Sequence, residues 1–267
     1  MLKSLLLAFT LPAYLSASGA TTLPIGPITF STNASYDANF KESVFDVGNT
    51  RNAAGYIQLQ GFQYGPAIFD TSATGGSNGF GGTGGSDANN DLANFTISGD
   101  LASSEVGQFG GGFLLRLNSA EGGGYFASVL SASETSVVFD LFEGAGLNEG
   151  FGTKIFSATV PMTGLAFAIN TFYAFKVTAL NSTFSFDFGA GAATASFTDS
   201  TPSATIGQVG FVITTASPSA ATRLDNFAIV PEPGTATSLV LAGTALFAWR
   251  NGRRSARRGR SSGIKLG

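Results

Sequence analysis

The chain has 267 residues, 36 of them glycine and 25 phenylalanine, with 12% charged residues and neither cysteine nor histidine. Thiol nucleophiles, imidazole bases, Ser-His-Asp triads, disulfides and every Cys/His zinc site are thereby excluded. The net charge of −3 hides a segregation: residues 21–230 carry Lys41, Arg51, Arg116, Lys154, Lys176 and Arg223 against 16 acidic groups, a balance of about −10 that excludes a nucleic-acid partner.

At the N-terminus, Lys3 precedes an apolar stretch from Leu5 to Leu15 and the small residues Ser18, Gly19 and Ala20. This is the layout of a secretory signal peptide over residues 1–20, cut by signal peptidase after Ala20. The stretch is far shorter than the roughly 20 residues a membrane span needs. The protein is therefore expected to be exported, with a folded domain over residues 21–229.

Within that domain the first clear strand signal is "YIQLQGF", from Tyr56. A glycine-rich segment over 72–91, "SATGGSNGFGGTGGSDANND", interrupts the strands and reads as a surface loop. Gly79, Gly81 and Gly84 have the nominal spacing of a dinucleotide loop, but no strand and helix flank them, so no phosphate site is expected. Asp87, Asn89 and Asp91 have the alternating oxygens that open a calcium loop. Leu92 then stands where the calcium hand needs glycine and Ser98 where it needs glutamate, so a solvated acidic loop is the competing reading.

Further strands follow in order: "NFTISGD", "GFLLRLN", "YFASVL", "SVVFDLF" and "KIFSATV". In "TFYAFKVTAL" the residues Tyr173, Phe175 and Val177 alternate with Lys176 and Thr178, and in "STFSFDFG" Phe184, Phe186 and Phe188 alternate with Ser185 and Asp187. "QVGFVIT" and "RLDNFAIV" complete the set. Ten or more short strands without an amphipathic helical period predict an all-β fold of two packed antiparallel sheets. "FYAFKVTALNSTFSFDFG", "IGQVGFVIT" and the final "TRLDNFAIV" resemble the concanavalin or laminin-G-like jelly roll, whose last strand pairs near the N-terminal one. An immunoglobulin-like sandwich is the alternative. That resemblance also makes Asp225, in the last strand, a calcium candidate, against an ordinary edge or turn aspartate. No cofactor other than structural calcium is expected.

The C-terminal residues 230–267 divide into Val230-Pro231-Glu232-Pro233-Gly234, an apolar run over 235–249 and a basic tail over 250–267 that begins with Arg250, Arg253 and Arg254. By the positive-inside bias the arginines stay cytoplasmic and Pro231, Glu232 and Pro233 face outward. Together these parts resemble the PEP-CTERM sorting signal of Gram-negative, biofilm-forming bacteria. The resemblance implies one C-terminal transmembrane helix, an inner-membrane-tethered precursor, cleavage by an exosortase, delivery to the cell surface or extracellular space, and an exopolysaccharide partner. An ordinary tail anchor is the competing reading.

For enzymology, Asp140 and Glu143 in "SVVFDLFEG" resemble the Glu-x-Asp-x-x-Glu motif of laminarinase-type glycosidases. Val138 occupies the place of the nucleophilic glutamate, which removes the covalent step. Trp249, the sole tryptophan, lies in the tail, leaving Tyr36, Tyr56, Tyr64, Tyr125 and Tyr173 as possible sugar platforms. The expected function is a non-enzymatic surface or matrix protein, structural or glycan-associating. A secreted polysaccharide-active enzyme is the alternative.

Overall fold

A computed structural model describes residues 25–28, 30, 40–42, 50–51, 55–60, 64–69, 92–106, 109–118, 123–145, 151–215 and 220–232. The signal peptide, the glycine-rich segment, Pro233 and the apolar run and basic tail lie outside the described residues. Among the described residues, no helix is long and apolar enough to cross a membrane.

The described residues form β1 (Ile25–Ile28), β2 (Phe40–Glu42), β3 (Thr50–Arg51), β4 (Ile57–Gln60), β5 (Tyr64–Phe69), β6 (Phe95–Ser103), β7 (Phe109–Leu117), β8 (Gly124–Ser133), β9 (Ser136–Ala145), β10 (Thr153–Pro161), β11 (Tyr173–Leu180), β12 (Thr183–Phe188), β13 (Ala193–Thr198), β14 (Gln208–Thr215) and β15 (Ala221–Pro231). They make two antiparallel sheets. The front sheet has eight strands in the order β13-β12-β11-β6-β15-β4-β3, with β1 also on β15. The back sheet has seven, in the order β10-β9-β8-β7-β14-β5-β2. The chain crosses between sheets from β5 to β6 to β7 and again from β13 to β14 to β15, which makes a sandwich of jelly-roll type. The last strand does pair with the first, Ile25 facing Ile229.

Alternation explains the register. Along β11 the odd residues Tyr173, Phe175, Val177 and Ala179 are buried and the even ones face outward, because successive side chains in a strand point to opposite sides. The inward residues of both sheets build one core rich in phenylalanine. Phe113 stacks on Phe175 at 5.1 Å, and Phe40 meets Phe211 and Phe227 edge-on, both at 5.2 Å. Such rings supply large buried apolar area to a domain that has no disulfide.

One end of the sandwich is closed by a polar network. Arg116 is fully buried; its Nε and Nη2 donate to the Ala93 carbonyl at 3.0 and 2.7 Å, and its guanidinium lies 5.3 Å from the Phe184 ring centre. The Tyr125 hydroxyl donates to Asp199 Oδ2 at 2.9 Å and accepts from the Ser203 N–H at 3.0 Å. These bonds pin the 199–207 connection to the back sheet.

The outer faces of the two sheets differ. On the back sheet Ile68, Leu114, Leu117, Phe126, Ala145 and Val212 form a second buried apolar cluster, with Phe142 and Phe151 packed on it. On the front sheet the outward residues are polar: Thr96, Ser98 and Asp100 on β6, Lys176 and Thr178 on β11, Ser185 and Asp187 on β12, Arg223 and Asp225 on β15. The front face therefore presents the functional groups of the domain to solvent.

Candidate functional site

The site is built around Arg223, which stands on β15 opposite Gln58 of β4 and Ala102 of β6. Its Nε donates to Gln58 Oε1 at 3.1 Å and its Nη1 to Asn170 Oδ1 at 2.8 Å. The guanidinium lies 5.4 Å from the Tyr56 ring centre, and Tyr56 in turn meets Phe172 at 5.8 Å. Asn170 holds a left-handed backbone, φ 59°, in the turn before β11, and its N–H donates to the Ser103 carbonyl at 2.6 Å. Asparagine tolerates that conformation better than most residues, so the turn and the amide that meets Arg223 are specified together. The arginine is thus held beside an aromatic ring by two amide oxygens, with donors to spare.

Beside it lies an acidic pair. Asp225 and Asp100 are directly opposed across β15 and β6, where a bulge shifts the register. In the bulge Asn226 takes φ 52°, its Nδ2 donates to Asp100 Oδ2 at 2.7 Å, and its own N–H donates to Asp225 Oδ1 at 2.7 Å. Burial raises the Asp225 pKa above the ordinary aspartate value; the Asn226 bond works against this and the Asp100 charge adds to it. Asp100 and Asn226 line a groove of about 230 Å³ whose far side is the Lys176–Asp187 ion pair, 3.0 Å long. An aromatic edge, a positioned guanidinium, amides and carboxylates in one strip can stack on an apolar ring face and bond hydroxyl groups.

The residues expected from sequence are placed as follows. Asp225 lies on the last strand, within this site. Asp87, Asn89 and Asp91 lie outside the described residues, as do Pro233, Arg250, Arg253 and Arg254. Among the described residues, no group of three or more acidic side chains could hold a metal ion. Asp225 and Asp100 each accept a hydrogen bond from Asn226 through one oxygen. Pro231 ends β15 opposite Phe95, and Glu232 follows it.

The glycosidase pair is separated by the sheet. Asp140 faces Ser128 on the outer side of β9 and is bonded by Lys154 at 2.7 Å. Glu143 pairs with Tyr125 on the opposite side and accepts from the Ser203 N–H at 3.2 Å. The two carboxylates cannot flank one bond. Of the tyrosines, Tyr125 and Tyr173 are buried in the core and Tyr56 reaches the front face. Arg223, Gln58, Asn170, Asp100 and Asn226 were not singled out from sequence. Arg223 carried a usable signal, being one of six basic residues in an acidic body.

Residues 230–255 match the family described as the PEP-CTERM protein-sorting motif. No curated protein sequence matches the chain. Among solved structures the chain is similar to a legume lectin-like domain from Entamoeba histolytica, at 9% identity and a TM-score of 0.50, with 80% of this chain and 100% of that one covered. It is also similar to the carbohydrate-binding module CBM66 from Bacillus subtilis, at 14% identity and a TM-score of 0.46, covering 72% and 96% of the two chains. A Bacillus subtilis protein with a galectin-like fold follows at 12% identity and 0.48, covering 78% and 97%. The legume lectin-like match shows the architecture alone. The chain therefore joins a jelly-roll sandwich of legume lectin-like architecture to a PEP-CTERM sorting motif.

Proposed function

We propose that this is an exported, exosortase-processed surface protein that associates with polysaccharide through the front face of its jelly roll and performs no chemistry on it. The observation that carries the reading is the Tyr56–Arg223–Gln58–Asn170 cluster, an aromatic ring and a fixed guanidinium side by side on the polar sheet face. The sorting motif supports delivery to the surface. A fold shared with a lectin-like domain supports the glycan reading at the level of architecture. The separation of Asp140 from Glu143 counts against the glycosidase alternative. Because the body is acidic, a neutral polysaccharide is favoured over a polyanionic one, which the overall field would repel.

A glycan panel tests this. The purified ectodomain should be retained by neutral polysaccharide without releasing reducing ends, and Arg223→Ala and Tyr56→Ala should each weaken retention about tenfold or more, as loss of a central aromatic or arginine contact does at other interfaces. Release of reducing ends would establish the enzyme instead. Retention by nothing on the panel would leave a purely structural role.

A further inference from the structure

Strand β15 does not stop where the sorting motif begins. Val230 pairs with Thr96 and Pro231 with Phe95 of β6, and the Glu232 N–H donates to the Asn94 carbonyl at 2.9 Å. The Glu232 side chain is held as well: Thr96 Oγ1 donates to Glu232 Oε1 at 2.8 Å. Thr96 has one hydroxyl proton, which goes to the carboxylate, so the 2.8 Å contact with Thr178 is a bond that Thr178 donates. The first glutamate oxygen is thus the end of a three-residue chain rooted in β11. On the other side of β15, β1 pairs as far as Ile229. The half of the motif that carries the charge is part of the sheet.

We infer that the folded domain withholds its own sorting motif, so that the strand end must peel from β6 before the protease can take Glu232. This rests on the reading of the motif as an exosortase substrate. A protease receives its substrate as an extended strand with free backbone groups, and here the Glu232 N–H is already engaged by the Asn94 carbonyl. There is no slack to compensate. From Glu232 to Thr235, where the apolar run begins, an extended chain spans at most about 10 Å. The domain and the membrane-embedded protease therefore compete for the same residues, and a half-exposed bond to a charged group is worth roughly a factor of five to ten in that competition.

The test follows processing of the full precursor in an exosortase-bearing host, by pulse-chase and intact mass. Thr96→Val, which keeps the branched shape and deletes the donor, should speed tail removal about three- to tenfold. A precursor in which Val230–Glu232 stay paired, but a ten-residue Gly-Ser linker carries a second Val-Pro-Glu-Pro-Gly ahead of Thr235, should also be processed faster. Thr96→Cys with Val230→Cys, oxidised in this cysteine-free chain, should be slowed at least tenfold and recover on reduction, while Val230→Cys alone behaves like the parent and Thr96→Cys alone, which also loses the hydroxyl, is processed faster. Unchanged rates in the threonine and linker variants would overturn the inference and leave exosortase processing standing. A slower linker variant would overturn it too, showing that the domain contacts promote recognition. Failure of the unaltered precursor to lose its tail would overturn both.

Discussion

Asp225 is a residue whose environment opposes its charge. Its pKa is raised by burial, with Asp100 adding and the Asn226 N–H opposing. The folded state then binds a proton more tightly than the unfolded chain, so this group adds stability as pH falls through the raised value and withdraws it as pH rises. Asp225→Asn, which keeps an acceptor for the Asn226 N–H, should raise the midpoint near neutral pH, and the gain should vanish on acidification toward about pH 4. Melting curves of both proteins across that range check it. Arg116 is also disfavoured as a charge by burial, which lowers its pKa, but its guanidinium is bonded to the Ala93 carbonyl. Arg116→Met preserves the apolar stem but removes both bonds to the Ala93 carbonyl, and should cost roughly 1–3 kcal/mol. Denaturant titration would read this as a lowered midpoint with an unchanged slope.

Among the elements, β15 does the most. It pairs with β6 along its length, with β4 at its start and with β1 near its end, so the closing strand of the fold and the opening of the sorting motif are one segment. A domain ending at Ile229 should therefore be less stable than one ending at Glu232. The difference is the Val230–Thr96 and Pro231–Phe95 strand pairing, a backbone bond at Asn94 and the Thr96–Glu232 bond, together at least about 2 kcal/mol, or a fall of roughly 4 °C or more in the midpoint. Equal midpoints would mean that these contacts contribute nothing to the fold. The central strand β7 shows a different constraint. A side chain at Gly112 would overlap the Ala127 carbonyl oxygen of β8, so glycine there permits the close approach of neighbouring strands.

At the scale of the whole molecule, the pairing of Ile25 with Ile229 brings the two ends of the domain out side by side. The chain therefore enters and leaves the described domain at one pole. Trp249 is the only tryptophan and lies beyond Pro231-Glu232-Pro233, within the matched sorting motif. Processed protein from the native host should lack indole fluorescence and show tyrosine emission alone. Full-length surface protein with tryptophan emission would make the tail a permanent anchor.

Patterning alone determined the fold class, because inward and outward residues of an antiparallel strand alternate in plain view, as in "YAFKVTAL" and "TFSFDF". The sorting tail was equally legible, since its three parts are contiguous. The strands without that alternation were not: β13, "ATASFT", is built of small residues, β5, "YGPAIF", contains a proline, and β1, β2 and β3 are two to four residues long. The site was hidden for another reason. Tyr56, Gln58, Asp100, Asn170 and Arg223 are scattered over more than 160 residues, and meet because β15 enters the sheet between β6 and β4. The same pairing decided that Asp140 and Glu143, three residues apart in sequence, face opposite sides of a sheet. Local order dictates which residues form strands; which side chains share a face is a property of register and of neighbours that the chain acquires on folding.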